Sequence, residues 1–230
     1  MLNANDLKAL VIPTGGKATE EKSAVSRHPT MSSTHVYDPA MDWDVTAFVL
    51  AGGKSTRMGT DKAFVMFEGR TLLDRALDTV RRISRDVFIA GDPEKYGAFA
   101  ISIPDVYPQC GPLSGINAAL RSTNTTFNVM LAVDLPFVTA ELLQFLLDRA
   151  RVAATAVVTI PRSGHGLQPL CAVYRRDFVL KSEEALRAKR YRIDALFDWP
   201  VTRVITEDAL RAAGFSPDMF RNLNTPEDLT

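Results

Sequence analysis

Apolar residues in this chain fall into short runs separated by stretches with helical spacing. Val45 to Leu50 is one such run, and Phe127 to Val133 is a second, nearly continuous one. Runs of that kind are expected of strands buried on both faces. Asp86 to Ala90, Ile101 to Ile103, Thr155 to Ile160, Leu170 to Tyr174 and Val201 to Ile205 read as further strands. Between them, Leu73, Ala76, Leu77 and Val80 share one helical face, behind Thr71 as N-cap and Asp74 three residues on. Ile116 to Arg121 reads as a helix entered through a glycine loop, Gly111 to Gly115. Leu142, Leu143, Leu146 and Leu147 recur at helical spacing behind Thr139. Thr206 opens a short helix that Gly214 terminates, and Thr225 with Pro226 opens a last one. Strands alternating with helices predict an α/β fold with a mostly parallel sheet covered on both faces. Ligands on such sheets bind at the carboxyl ends of the strands. The loop after Leu50, Asp105 and Asp134 each follow a strand, so they are expected on one rim.

The pattern is absent from the first 44 residues, which are polar. Their apolar piece, Leu7 to Ile12, is bounded by Pro13 and is too short for a signal-peptide core. Residues 1–44 are therefore read as a disordered extension, and 45–230 as one domain. A regulatory arm is the alternative. So is an over-extended gene start, with Met41 just ahead of the first strand.

Composition narrows the functional classes. Lys+Arg 27 against Asp+Glu 27 leaves no net charge, so the basic field of a general nucleic-acid binder is missing. An anion site must be local. Cys110 and Cys171 form no C-x-x-C pair, and with three histidines they make no zinc cluster. No apolar run approaches the ~18–20 residues of a membrane span. With no export signal, reduced thiols and a cytoplasmic location are expected.

The local anion site is found directly after the first strand, at Leu50-Ala51-Gly52-Gly53-Lys54-Ser55-Thr56-Arg57-Met58-Gly59-Thr60-Asp61-Lys62. Two glycines let the backbone approach a ligand closely, and Lys54, Arg57 and Lys62 edge the loop with cations. Such a loop suits phosphate oxygens; the plainer reading is a polar surface loop. It is not a P-loop, because Phe48 stands where that motif needs its first glycine. Nor is it G-x-G-x-x-G, because Gly52 and Gly53 are adjacent. Asp134, directly after a buried strand, suits a hard cation such as Mg²⁺; as an alternative it is a turn or capping residue. Asp105 reads equally well as a turn residue after Pro104. Asn222 and Asn224 flank Leu223 and either cap the loop before Thr225 or reach a ligand. His165, between Gly164 and Gly166, is a candidate base or a loop residue on the acceptor side.

The stretch follows L-A-G-G-x-S-x-R-M-G-x-D-K and resembles the nucleotidyltransferases that load a nucleoside monophosphate onto a phosphorylated acceptor. It is most similar to the molybdenum cofactor guanylyltransferase family, also called molybdopterin-guanine dinucleotide synthases. The x-D-x-P at Asp134, G-P-L-x-G at Gly111 and N-x-N-T-P-x-D/E-L at Asn222 extend the resemblance from Val45 to the C-terminus. It implies a three-layer, Rossmann-like nucleotidyltransferase fold with at least one antiparallel strand. It implies GTP bound by Leu50, Ala51, Gly52, Gly53, Lys62, Asp105 and Asp134. It makes Arg57, Lys62 and Asp134 catalytic, with Asp134 the Mg²⁺ ligand, and puts Asn222 and Asn224 on the acceptor or metal side. Lys54 occupies a variable position of the motif and ranks lower. The implied acceptor is molybdenum-molybdopterin, with transient contact to molybdopterin-transfer proteins and recipient molybdoenzymes. One departure stands out: where family members often carry a small polar residue after the second strand, this chain has Ala90-Gly91-Asp92. Competing expectations are a cytidylyl enzyme for the same pterin, a sugar-phosphate or phospholactate nucleotidyltransferase, or a non-catalytic cofactor chaperone. Gly53 favours the guanylyl form, since cytidylyl relatives more often have L-A-A-G.

Overall fold

Val45–Leu50 forms β1, and its alternation explains why the sheet is covered twice. Val45, Ala47 and Val49 join one buried cluster; Phe48 and Leu50 join another on the opposite face. The computed structural model describes residues 44–52, 61–164 and 166–223. The expectations for residues 1–43, Gly53, Lys54, Arg57, His165, Asn224 and the helix at Thr225 lie outside these.

In chain order the elements are a small hairpin of β2 (Met66–Phe67) and β3 (Arg70–Thr71), then α1 (Leu72–Arg81) and β4 (Asp86–Ala90). Next come α2 (Pro93–Tyr96), β5 (Ser102–Ile103), α3 (Pro112–Ser122), β6 (Phe127–Ala132) and α4 (Ala140–Val152). The chain continues through β7 (Val158–Ser163), β8 (Gly166–Leu167), β9 (Cys171–Arg175), α5 (Phe178–Arg187), β10 (Thr202–Ile205) and α6 (Glu207–Ala212). The main sheet runs β10-β7-β9-β6-β1-β4-β5, with β8 paired to β7. Its pairs are parallel except that β9 runs antiparallel to β6 and β7, and β8 antiparallel to β7. Helices α1 and α4 cover one face through Leu72, Leu73, Leu77, Leu142 and Leu146. Helices α3 and α5 cover the other through Leu113, Ile116, Leu120, Phe178 and Ala185. This is the expected three-layer α/β/α fold. Among the described residues no helix is long and apolar enough to cross a membrane.

The capping predictions match side-chain geometry. Thr71, Thr139 and Thr206 accept from the backbone N–H of Asp74, Leu142 and Ala209. Gly214 ends α6 with φ +87, where the Gly214 and Phe215 N–H groups close onto Arg211 and Leu210 carbonyls.

The larger departures from the sequence reading are two shifted boundaries and one helix that it did not predict. Helix α3 starts at Pro112, not Ile116, because proline is preorganised for the first helical position; all of the expected glycine loop except Gly111 is therefore helix. Strand β7 runs from Val158 through Pro161 to Ser163 rather than from Thr155 to Ile160. Pro161 breaks only a donor, and its carbonyl still accepts from Gln168 at 2.9 Å. Helix α5 is not announced by large apolar periodicity, since its inner face includes Ser182 and Ala185. Ser182 is held by the Asn117 amide of α3 at 2.9 Å.

Candidate functional site

From β1 the chain moves outward through β4 to β5, then crosses back by α3 to β6 on the other side of β1. The connections leaving β1 and β6 therefore diverge, which opens a crevice beyond their carboxyl ends. Leu50, Ala51 and Gly52 form its floor: the Leu50 carbonyl accepts from Val133 N–H at 3.1 Å, and Ala51 N–H donates to Ala90 at 3.0 Å. Gly52 differs from expectation in one respect. Its φ is not in the left-handed region, and an added Cβ would meet nothing nearer than Ala90 O and Asp105 Oδ2, both at 3.9 Å. The backbone does not demand glycine here; the empty space in front of it is the feature.

Lys62 and Asp134, 72 residues apart, meet across the crevice with Lys62 Nζ 2.9 Å from Asp134 Oδ2. Lys62 opens a single 3₁₀ turn, Lys62–Phe64, and Asp134 sits in the turn after β6. Their side chains are only 18% and 23% exposed, so the pair is sheltered yet reachable. Leu223 N–H donates to the Asp134 carbonyl at 3.2 Å, bringing exposed Asn222 beside the same turn. Asp105 lies across from them: one carboxylate oxygen comes within 3.9 Å of a Cβ added at Gly52, the other within 3.9 Å of one added at Gly115. Burial pushes its carboxyl up from the ordinary range, opposed by the Ser114 hydroxyl. The strand-end residues thus share one rim, as the sequence implied.

The sequence reading passed over what anchors this rim. Asp61 caps the Lys62 turn through its Oδ1, while its Oδ2 lies 2.8 Å from the Tyr96 hydroxyl and 3.2 Å from Lys95 Nζ. The Tyr96 hydroxyl is also 3.0 Å from the Ala51 carbonyl oxygen. Tyr96 therefore pins the far end of the signature loop to its start, and burial raises its phenol well above the usual range. The available signal was Asp61 immediately before Lys62, a capping residue type at a turn start. Asp92 turns out to cap α2 through Glu94 N–H, with Pro93 following. Gly91 is glycine for a packing reason: a Cβ there would stand 2.8 Å from the Tyr96 ring. Gly91→Ala is expected to displace that ring and cost about 1–3 kcal/mol, lowering Tm by roughly 2–12 °C. Thermal unfolding checks this, and an unchanged Tm would show that the ring moves freely.

A carboxylate paired with an ammonium, beneath a glycine floor at the switch point of a parallel sheet, can hold and neutralise phosphate groups. A family model described as a MobA-like NTP transferase domain matches residues 47–201, which includes every element of this rim but the Asn222 segment. The chain belongs to the MobA-like NTP transferase family. Membership makes it a nucleotidyltransferase. Relatives agree: the molybdenum cofactor guanylyltransferase of Desulfosudis oleivorans is 36% identical over 190 residues, covering 80% of this chain and 92% of that protein. The probable molybdenum cofactor guanylyltransferase of Pelotomaculum thermopropionicum is 35% identical over 188 residues, covering 80% and 89%. The crystal structure of molybdopterin-guanine dinucleotide biosynthesis protein A from Archaeoglobus fulgidus superposes with a TM-score of 0.70 at 27% identity, covering 80% of this chain and 94% of that one. A 4-diphosphocytidyl-2C-methyl-D-erythritol synthase from Anaerococcus prevotii shares the fold alone, at TM-score 0.58 and 14% identity.

Proposed function

We propose that this MobA-like transferase moves GMP from GTP onto molybdenum-molybdopterin, forming the guanine dinucleotide cofactor and pyrophosphate. The observation that carries the reading is the Lys62–Asp134 pair, 2.9 Å apart at the crevice between β1 and β6. The names of the relatives supply the acceptor and the base. An oxygen of the acceptor's terminal phosphate attacks the α-phosphorus of GTP. The bond to the bridging oxygen of the β-phosphate breaks, and pyrophosphate leaves with that oxygen. No protein nucleophile is needed, so the chain's task is positioning and charge stabilisation. Leu50, Ala51 and Gly52 are the backbone floor for the base and ribose, with Asp105 beside them, and Gly53 is assigned to GTP with them. Lys62 and Arg57 offset phosphate charge. Asn222 and Asn224 are assigned to the acceptor or metal side. Molybdopterin-transfer proteins and recipient molybdoenzymes are the transient partners this chemistry asks for.

Mg²⁺ suits these residues. Among the described residues no group of three metal-ligating side chains occurs. Mg²⁺ takes one or two carboxylates and fills its shell with phosphate oxygens and water. Asp134 is the carboxylate that would hold it. When bound, the ion neutralises phosphate charge.

Pyrophosphate release from each of the four nucleoside triphosphates, with and without molybdopterin, tests the reading. Release confined to GTP with the pterin supports it; release with CTP instead overturns the guanylyl assignment, and release with none overturns the activity. Gly52→Ala gives a second test. Its methyl meets only ordinary contacts in the protein, 3.9 Å from Ala90 O and Asp105 Oδ2, so stability is retained. The methyl occupies the space proposed for the purine, so GTP affinity is expected to fall ~10–200-fold, with CTP affected less. Calorimetric titration of both nucleotides checks this; equal weakening would place Gly52 against the triphosphate instead.

A further inference from the structure

Three segments carry side chains assigned to the transfer: the turn that Lys62 opens, the turn after β6 at Asp134, and the C-terminal stretch with Asn222. A column of two rings and two cations runs through all three. Phe67, in β2, follows Lys62 on the same segment; Phe137 stands in the turn that starts at Asp134; Arg221 directly precedes Asn222. The guanidinium carbon of Arg221 lies 4.5 Å from the centre of the Phe137 ring. Phe137 meets Phe67 edge to face, with centroids 5.5 Å apart and planes at 81°. Arg75 of α1 closes the column, its guanidinium carbon 5.1 Å from the centre of the Phe67 ring. Glu68 Oε2, 3.0 Å from Arg75 Nη2, fixes that end.

The order of the column follows from ring electrostatics. An aromatic ring is negative on its faces and positive at its edge, so cations settle on faces and two rings meet edge to face. Phe67 is buried, Phe137 half-buried and Arg221 exposed, so Arg221 is the outer end. On the far side of Asn222, buried Leu223 donates its N–H to the Asp134 carbonyl at 3.2 Å. Asn222 is therefore held by both of its neighbours, and both attachments reach the same turn, 134–137. A residue fixed on each side has little backbone freedom left, so its side chain leaves the chain in a set direction.

We propose that Arg221 and Phe137 are positioning residues for the transfer: their contact holds the Asn222 segment against the Asp134 turn, so that Lys62, Asp134 and Asn222 are kept as one unit. The proposal rests on the roles assigned to those three residues above. None of the four column members belongs to the nucleotide floor of Leu50, Ala51 and Gly52 or to Asp105 beside it. Loss of the contact should therefore act on turnover and leave GTP affinity alone.

The experiment is steady-state transfer with GTP and molybdopterin varied separately, for wild type, Arg221→Ala, Phe137→Leu and the double variant. Exchange of the Leu223 amide hydrogen is followed by NMR in the same proteins. Expected is a kcat lower by ~3–10-fold in each single variant, with KM for GTP unmoved. The Leu223 amide should exchange ~2–5-fold faster in Arg221→Ala. The double variant should stay within ~2-fold of Phe137→Leu, because Arg221 has already lost its ring there. Arg175→Ala is the control. It removes the same kind of contact, 4.8 Å from the Phe127 ring, at the amino end of β6, away from the rim, so kcat should hold. Wild-type kcat or wild-type Leu223 exchange in Arg221→Ala overturns the proposal. So does a loss from Arg221→Ala that persists in full in the Phe137→Leu background, which would put the guanidinium on a substrate phosphate. An equal fall in Arg175→Ala overturns it as well, by making the effect a general loss of stability. If wild type transfers nothing to molybdopterin, the guanylyl reading fails by itself and Leu223 exchange decides the column: faster exchange in Arg221→Ala supports it, and unchanged exchange overturns it.

Discussion

Asp134→Asn is expected to lower GTP-dependent pyrophosphate release by ~10²–10³-fold while the protein stays folded. The substitution keeps the shape of the side chain and removes its charge. The bond from Leu223 N–H reaches the backbone carbonyl of residue 134, so the turn and the C-terminal segment keep their link. Lys62 loses a partner, but at 18% side-chain exposure its ammonium still reaches water. A partly exposed pair contributes at most about 1 kcal/mol, so Tm should move by no more than roughly 4 °C. The two measurements separate the roles. A rate that collapses with an intact Tm identifies Asp134 as part of the phosphate-handling machinery. Near-wild-type turnover at saturating Mg²⁺ would overturn that assignment, and a collapsed Tm would make Asp134 structural.

How far the site could be read from the sequence depends on the distance over which each feature acts. β1 and β6 were legible because burial on both faces writes a continuous apolar run. The three threonine caps were legible because capping is local chemistry within three residues. The shared rim of Gly52, Asp105 and Asp134 followed from chain order alone, since each residue trails a strand of a mostly parallel sheet. The Tyr96 anchor was not legible. Its partners, Ala51 and Asp61, lie 45 and 35 residues away, and nothing in Tyr96's own neighbourhood marks it as more than a core aromatic. Gly91 follows from the same blindness: it reads as a turn glycine, yet its constraint is a ring brought over it by α2. β7 runs past Ile160 to Ser163 because Pro161 loses only the donor half of its peptide group. The direct pairing of Lys62 with Asp134 is likewise hidden, because the sequence reads Asp134 as a metal ligand and Lys62 as a phosphate-facing cation, with nothing local to join them.

That pairing makes the last prediction sharper than either residue alone allows. Lys62→Ala is expected to lower turnover by ~10²-fold, through loss of a cation placed where negative charge develops. The single 3₁₀ turn it opens is capped by Asp61, whose carboxylate bonds to Ala63 N–H, Tyr96 and Lys95 rather than to Lys62. The turn should therefore survive and Tm should hold. If the two residues acted on different parts of the reaction, the double variant Lys62→Ala with Asp134→Asn would lose about the product of the single losses, ~10⁴-fold or more. Contact at 2.9 Å argues for the opposite. Removing Asp134 leaves Lys62 without the carboxylate that positions it, so much of Lys62's contribution disappears in the first substitution. Residues that work as a unit show such non-additivity, and the double variant should fall within about 10-fold of the slower single one. Rates for wild type, both single variants and the double variant, taken at equal Mg²⁺ and saturating GTP, form the cycle. A multiplicative loss would show that the pair seen across the crevice is broken once GTP binds, and that the two side chains then serve separate phosphates.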